Sequence, residues 1–162
     1  MANDHLLYWE SSVFIDLIER TAERIQTLDA IVASAEKGEV RIVTSAFTLT
    51  EVSKLNNLGL LPEWKEKLIV KFFENDWIVV RNVDRITAEH ARPIIRHHAL
   101  KPPDALHVAT ALLAKVDVLH TYDGDHLLPL DRKIGVPALR IEQPNWEFQQ
   151  TLDLAGGPVT AA

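Results

Sequence analysis

One carboxylate stands at a position where a side chain could do chemistry. Asp104 lies in "KPPDALHVATALL" (101–113), a segment that is apolar almost all round after its two prolines. A helix of that composition is buried on most sides, and a buried carboxylate is costly unless a hydrogen-bonding or charged group pairs with it. The question is therefore which group pairs with the Asp104 carboxylate.

Further acidic residues directly follow apolar segments typical of buried strands, or lie early in the helix that comes next. They are Glu10, Glu51, Asp123 and Asp125. Carboxylates that lack cysteine or clustered histidine beside them suit hard cations such as Mg²⁺ or Mn²⁺, which also bind substrate phosphates. If these acids meet, their mutual repulsion favours a cation among them, and the sequence predicts a divalent-metal site for phosphodiester chemistry.

Apolar segments and helical patterns alternate along the chain. The predicted strands are 5–9, 40–45, 77–80, 116–121 and 138–141, and the predicted helices are 12–20, 22–38, 48–59, 62–75, 84–100 and 101–113. Strands separated by helices predict an α/β fold with a central parallel sheet of about five strands and helices on both faces. Because the carboxyl ends of parallel strands share one edge of the sheet, the acids are expected to meet there.

Local signals predict where some helices begin. Ser11 or Ser12 is expected to cap the first helix, and Pro103 to occupy the first position of the helix that holds Asp104. A segment at 124–134 reads as a polar helix or a loop.

Composition sets the outer limits. The chain has 162 residues, 47% of them hydrophobic and 25% charged, which suits one ordinary globular domain. It has no cysteine, no apolar run long enough to span a membrane and no signal-peptide pattern, so a cytoplasmic location is expected. We predict a domain over 1–143 and a partly mobile tail over 144–162. The net charge of −6 argues mildly against bulk electrostatic binding of nucleic acid, although five of the surplus acids belong to the predicted site.

Four motifs carry a family resemblance: "YWESSVFIDL", "TSAFTLTEVSKL", "PPDALHVATAL" and "LHTYDGDHLL", in this order. They resemble the motifs of the PIN-domain ribonucleases, and most closely those of the VapC-type toxins of prokaryotic toxin–antitoxin pairs. The resemblance implies an endoribonuclease that depends on Mg²⁺ or Mn²⁺. It also implies a cognate antitoxin whose C-terminal segment plugs the groove, and a homodimer. Carried over by position, the acidic site consists of Glu10, Glu51, Asp104 and Asp123, with Asp125 as an accessory acid.

Position 10 departs from the family pattern, which has Asp where this chain has Glu10. The extra methylene moves the carboxylate outward by ~1.5 Å. Because a misplacement of 1 Å can cost ~10²-fold in rate, an alternative is a weakly active or inactive PIN-like binding module. A related α/β phosphatase is a weaker alternative, since "ESS" (10–12) replaces its spaced pair of aspartates.

Each acid also has a purely structural alternative. "TLTE" (48–51) fits a capping box in which Glu51 reaches back to the backbone of Thr48. Asp104 could be only a helix-start residue that the helix dipole stabilises, and Asp123 could be only a turn former before Gly124.

Several residues near the acids are candidates for substrate binding. They are Ser11, Arg96, Lys101, His107 and Thr121. No acid occurs between Glu89 and Asp104, so a phosphate backbone could follow this basic stretch, although a solvated helix face explains most charge runs. His107 shares a helix face with Asp104, and a buried histidine with a structural partner is its alternative.

Overall fold

A sheet of five parallel strands runs through the centre of the structure. The computed structural model describes residues 5–55 and 59–145. The strands of this sheet are β1 (His5–Trp9), β2 (Val40–Ser45), β5 (Ile78–Arg81), β6 (Val118–His120) and β7 (Ile141–Glu142). Their order across the sheet is β5-β2-β1-β6-β7. A separate antiparallel pair is formed by β3 (Lys54–Leu55) and β4 (Gly59–Leu60).

Helices connect the strands of the sheet. They are α1 (Ser11–Glu19), α2 (Ile25–Glu36), α3 (Ala46–Glu51), α4 (Glu63–Phe72), α5 (Arg85–His98) and α6 (Pro102–Ala114), with a 3₁₀ turn at Leu128–Leu130. This arrangement confirms the predicted α/β fold. Within the described ranges, no helix has the length and apolar character needed to cross a bilayer.

The two faces of the sheet carry separate cores because side chains alternate along each strand. Leu7 and Trp9 of β1 pack with Phe14 of α1 and the apolar side of α2, on one face. Tyr8, between them, packs on the other face with residues of α5 and α6 such as Val108. The alternation therefore points Tyr8 toward α6, the helix that also carries Asp104.

The side of the sheet on which the chain adds new strands changes at β1. From β1 the chain adds β2 and then β5 on one side, and it returns to place β6 on the other side. The backbone N–H of Glu10 donates to the carbonyl of His120 over 3.1 Å, which joins the carboxyl ends of β1 and β6. In open α/β sheets, this point of reversal is where ligands bind.

The third helix is shorter than its sequence pattern predicts. The predicted helix 48–59 instead ends at Glu51 and begins after Ser45, whose Oγ caps it by accepting the backbone N–H of Phe47. Near its end, the hydroxyls of Thr50 and Ser53 donate to backbone carbonyls within the same segment, an alternative to the helical ladder that these residue types favour.

Smaller differences affect other predicted elements. The first two helical positions of α6 are Pro102 and Pro103, so the helix begins one residue before Pro103, which was predicted to occupy its first position. The last strand, predicted over 138–141, is limited to the two residues of β7, and α5 ends two residues before the predicted end at residue 100. The predicted tail is untested, because residues 146–162 lie outside the described residues.

The outer surface of α4 carries several exposed apolar side chains. Trp64 is 64% exposed and Leu68 is 59% exposed, and Leu60 of β4 is exposed as well. Ile69 and Phe72 of the same helix pack partly against the core. Ordinary core packing therefore accounts for one side of α4 only.

Candidate active site

Asp104 sits in the first turn of α6. Lys101 is the residue before the helix, and Pro102 and Pro103 fill the two positions whose backbone would lack a helical partner in any case. Among the described residues, none forms a hydrogen bond or an ion pair with the Asp104 carboxylate. Partial burial raises its pKa, and the nearby charges of Asp123 and Glu10 raise it further. Asp104 is thus a half-buried carboxylate beside other acids.

Asp123 lies in the turn that follows β6, and the turn itself holds the side chain in place. Its Oδ1 accepts the backbone N–H groups of Asp125 and His126 over 3.1 and 2.9 Å. The ring Nδ1 of His126 lies 3.3 Å from the same oxygen. Asp123 therefore does form a turn, and this role is compatible with a place in the site.

Three side chains bring potential ligand atoms together at this point. Within the described part of the chain, Asp104, Asp123 and His126 each offer one ligand atom, and these atoms lie within 4.8 Å of one another. Asp125 is exposed and does not join this group. Two carboxylates and an imidazole form a donor set that fits a divalent ion such as Mn²⁺.

Glu10 has a structural role that the sequence pattern did not predict. It is the N-cap of α1, in place of Ser11 or Ser12, because its Oε2 accepts the backbone N–H of Ser12 over 3.1 Å. The hydroxyls of Ser12 and Thr121 donate to the same oxygen over 2.5 and 2.9 Å. Three donors therefore fix a buried Glu10 carboxylate between α1 and the end of β6.

Glu51 is held by two side chains, one from α1 and one from α6. Its Oε1 accepts the hydroxyl of Ser11 over 2.6 Å and lies 2.5 Å from Nε2 of His107. Partial burial alone would raise the pKa of Glu51, but the hydrogen bonds to His107 and Ser11 together outweigh burial and lower the pKa. The capping-box alternative is wrong for Glu51: Thr48 lies inside α3, and its hydroxyl bonds to that of Thr44.

The remaining predicted substrate-binding residues divide into two groups. Ser11 and Thr121 are buried and bond to Glu51 and Glu10, respectively, and His107 is fully buried. Arg96, near the end of α5, and Lys101, just before α6, are exposed. Only Arg96 and Lys101 thus have the exposure that a phosphate backbone needs for contact.

Sequence reasoning missed two residues that complete the site: Tyr8 and His126. His126 follows Asp123 by three residues, and in a turn that spacing brings the two side chains together. The alternation of β1 placed Tyr8 on the face of α6, but its contact with His107 joins residues 99 positions apart. Contacts at that separation leave no local pattern in a sequence.

The chain shares its fold with solved toxin structures. VapC20 of Mycobacterium tuberculosis, described as a toxin that cleaves the sarcin-ricin loop, is 21% identical, with a TM-score of 0.59 over 74% of this chain and 92% of VapC20. A toxin–antitoxin complex from Klebsiella pneumoniae contains a chain that is 18% identical, with a TM-score of 0.59 over 86% of this chain and 98% of that chain.

A third structure is VapBC2 from Rickettsia felis, bound to a DNA fragment from its promoter. It is 13% identical, with a TM-score of 0.61 over 86% of this chain and 99% of that chain. No curated protein sequence matches this chain.

The family model described as "PIN domain" matches residues 7–132. That range contains the end of β1, the first turn of α6 and the turn after β6, and so it includes every acid of the candidate site. This protein therefore belongs to the PIN-domain family.

Proposed function

We propose that this protein is a divalent-metal-dependent endoribonuclease and the toxin of a toxin–antitoxin pair. The observation that carries this proposal is the state of Asp104, a half-buried carboxylate that lies beside Asp123 and has no protein partner among the described residues. Membership of the PIN family and a fold shared with VapC toxins support the substrate class.

The donor set supports a role for Mg²⁺ or Mn²⁺ at this site. Asp104, Asp123 and His126 would hold one ion, and Glu10 lies close enough to raise the pKa of Asp104. A bound divalent ion would offset these charges and stabilise the charge that develops on phosphate oxygens during cleavage. Asp125 contributes its backbone N–H to Asp123 and is an accessory acid in this proposal.

The chain's own acids have distinct roles in the proposed reaction. Glu51 stays ionised because His107 and Ser11 donate to its Oε1, so its other oxygen is available to accept a proton from an attacking water. Glu10 is held by Ser12 and Thr121 at the point where β1 and β6 meet, and it fixes that edge of the site. No side-chain nucleophile is required.

The direct test is cleavage of RNA by the purified chain with Mn²⁺ or Mg²⁺. We expect cleavage that is lost when EDTA removes the metal and is lost in Asp104→Asn. Cleavage that persists in EDTA, or in Asp104→Asn at the wild-type rate, would contradict the proposal.

A weakly active or inactive binding module is the second candidate, and one observation favours it. Oε2 of Glu10 is already occupied by three donors as the cap of α1, which restricts its freedom to reach an ion. In that case, the wild type would cleave RNA no faster than Asp104→Asn, and Glu10→Asp would restore cleavage.

The partners follow from the same proposal. We propose RNA as the substrate, a cognate antitoxin as the inhibitor, and a homodimer that acts in the cytoplasm. Two of the similar structures are a toxin–antitoxin complex and VapBC2 bound to promoter DNA, which supports the antitoxin.

Arg96 and Lys101 are proposed to guide the RNA backbone toward Asp104. Replacing both with alanine is expected to weaken RNA binding, measured in EDTA by fluorescence anisotropy, and to reduce its salt dependence. For single-stranded RNA, the slope of log K against log salt concentration should fall by about 0.7 for each phosphate that the variant no longer neutralises.

Lys37→Ala is the matched control for this pair. Lys37 is exposed and follows α2 just before β2 begins, at the edge of the sheet opposite the site. The control should leave both affinity and slope unchanged. The control removes one positive charge and the pair removes two, so a control effect of half the size would mean that Arg96 and Lys101 act only through net charge.

A further inference from the structure

A buried chain of hydrogen bonds runs from the core to Glu51, and we propose that Tyr8 and His107 are positioning residues for the Glu51 carboxylate. This inference rests on the proposed function, in which Glu51 takes part in RNA cleavage. It assigns a role to two residues that cannot touch the substrate, because both are fully buried.

The geometry links three elements of the fold. The hydroxyl of Tyr8, on β1, lies 2.7 Å from Nδ1 of His107, on α6. Nε2 of the same ring lies 2.5 Å from Oε1 of Glu51, at the end of α3. The ring is held by an edge-on contact with Tyr8 and by Phe47 at a centroid distance of 6.0 Å. Both ring nitrogens of His107 are therefore engaged, and the ring has a single orientation.

The hydrogen-bond roles follow from the chemistry of the two end groups. An ionised Glu51 carboxylate can only accept, so Nε2 of His107 must carry a proton and donate it. A neutral imidazole then has a bare Nδ1, which accepts the hydroxyl proton of Tyr8. Burial raises the pKa of Tyr8 well above its usual value, as do the nearby charges of Glu10 and Glu51, so its proton stays on the oxygen. The chain of bonds is complete without any buried cation.

The two hydrogen bonds hold Oε1 of Glu51, and they leave Oε2 available to accept a proton. Ser11 and His107 both donate to Oε1, from α1 and α6. A glutamate side chain on a six-residue helix would otherwise be free to rotate. Because partners that orient a site's carboxylates or ligands typically matter by about 10–100-fold in activity, loss of either link should be visible in the rate of cleavage.

Three variants separate positioning from packing. Tyr8→Phe removes only the hydroxyl, His107→Gln can still present an N–H to Glu51, and His107→Leu fills the space with an apolar group. We expect kcat for RNA cleavage to fall by about 3–10-fold in Tyr8→Phe, by about 10-fold in His107→Gln and by about 100-fold in His107→Leu. The KM for RNA should stay within about twofold, since the substrate contacts are unchanged.

A purely structural role predicts the opposite order for the two His107 variants. Leu at a fully buried position should preserve the melting temperature better than Gln, whose polar groups need partners. Activity that follows melting temperature, with Leu above Gln, would overturn the proposal. Tyr122→Phe is the matched control: Tyr122 is the other tyrosine of the chain, half-buried with its ring against Arg24, and its hydroxyl takes no part in the bonds from Tyr8 to His107 and from His107 to Glu51. Equal losses in Tyr8→Phe and Tyr122→Phe would also overturn it.

Nitrogen NMR on the wild-type protein tests the inference independently of cleavage. We expect the ring of His107, assigned through its own backbone, to carry its proton on Nε2 and to show Nδ1 as an acceptor. A proton on Nδ1 alone would overturn the inference, since Nε2 could not then donate to Glu51. If the NMR result holds while the wild type fails to cleave RNA, the proposed function fails and the arrangement of these side chains stands.

Discussion

Cleavage of RNA by the Asp104→Asn variant is expected to be more than about 100-fold slower than cleavage by the wild type. Changes to partners of metal ligands typically cost about 10–100-fold in metal affinity or activity, and a direct ligand should cost more. Asparagine keeps the size and shape of the side chain, and among the described residues the carboxylate has no partner to lose. The loss should therefore come from charge alone, and it is measured as kcat/KM at saturating Mn²⁺.

The thermal stability of the same variant is the control. Asp104→Asn is expected to raise the melting temperature of the metal-free protein while it lowers the rate of cleavage. Because the pKa of Asp104 is raised, the folded metal-free protein holds a proton there more tightly than the unfolded chain does. Stability is therefore lost as the pH rises from the usual carboxyl range through the raised pKa, and asparagine avoids that loss. Metal-free Asp104→Asn should melt at a higher temperature than the wild type at pH 7, with the difference shrinking at acidic pH.

Mn²⁺ should reverse that order of stability. At about 100 times its Kd, a bound ion stabilises the wild type by about 2.7 kcal/mol, a rise in Tm of about 5–10 °C for a chain of this size. The variant should show little rise. If Asp104→Asn is inactive but its Tm still rises by the full amount with Mn²⁺, the ion binds at another site.

The His126→Ala variant is expected to lose affinity for Mn²⁺ by about 10–100-fold while its affinity for Mg²⁺ changes by much less. Imidazole binds transition metals well, whereas Mg²⁺ prefers carboxylate oxygens and water. With His126 replaced, Asp104 and Asp123 remain, and they suit either ion. Isothermal titration of each ion into the variant and the wild type measures the ratio of the two affinities.

His90→Ala is the matched control, since His90 is exposed on α5 and is not part of the ligand group. It should leave both affinities unchanged. An equal loss for Mg²⁺ and Mn²⁺ in His126→Ala would mean that the ring only orients Asp123, through the contact with its Oδ1.

The sheet and its order of helices could be predicted because both depend on short-range patterns. Alternation along β1 and the apolar sides of α1 and α6 are visible in consecutive residues, and parallel strands end at one edge by topology. The placement of Asp104 followed from the prolines before it, with an error of one position.

Several hydrogen bonds within the site could not be predicted from the sequence, because they join residues that are far apart along the chain. The contact between Glu51 and His107 joins residues 56 positions apart, while the capping pattern at 48–51 was local and misleading. Oε2 of Glu10 accepts the N–H of Ser12 and so caps α1, which helix propensity does not predict because glutamate is not among the preferred N-cap residues. His126 could not be predicted because only the folded turn after β6 brings its ring to Oδ1 of Asp123.

Glu10 caps α1 and is also an acid of the proposed site, so its mutations should differ from those of Asp104 in a genetic selection. If the protein is the proposed toxin, growth of cells that express it without an antitoxin selects for any inactivating mutation, and the effect of such a mutation on the protein should differ between the two positions. Changes at Asp104 should appear as abundant, inactive protein, whereas changes at Glu10 also remove the start of α1 and should appear as protein that is degraded or aggregated. Sorting survivors by toxin abundance would thus separate the two carboxylates without any enzymology.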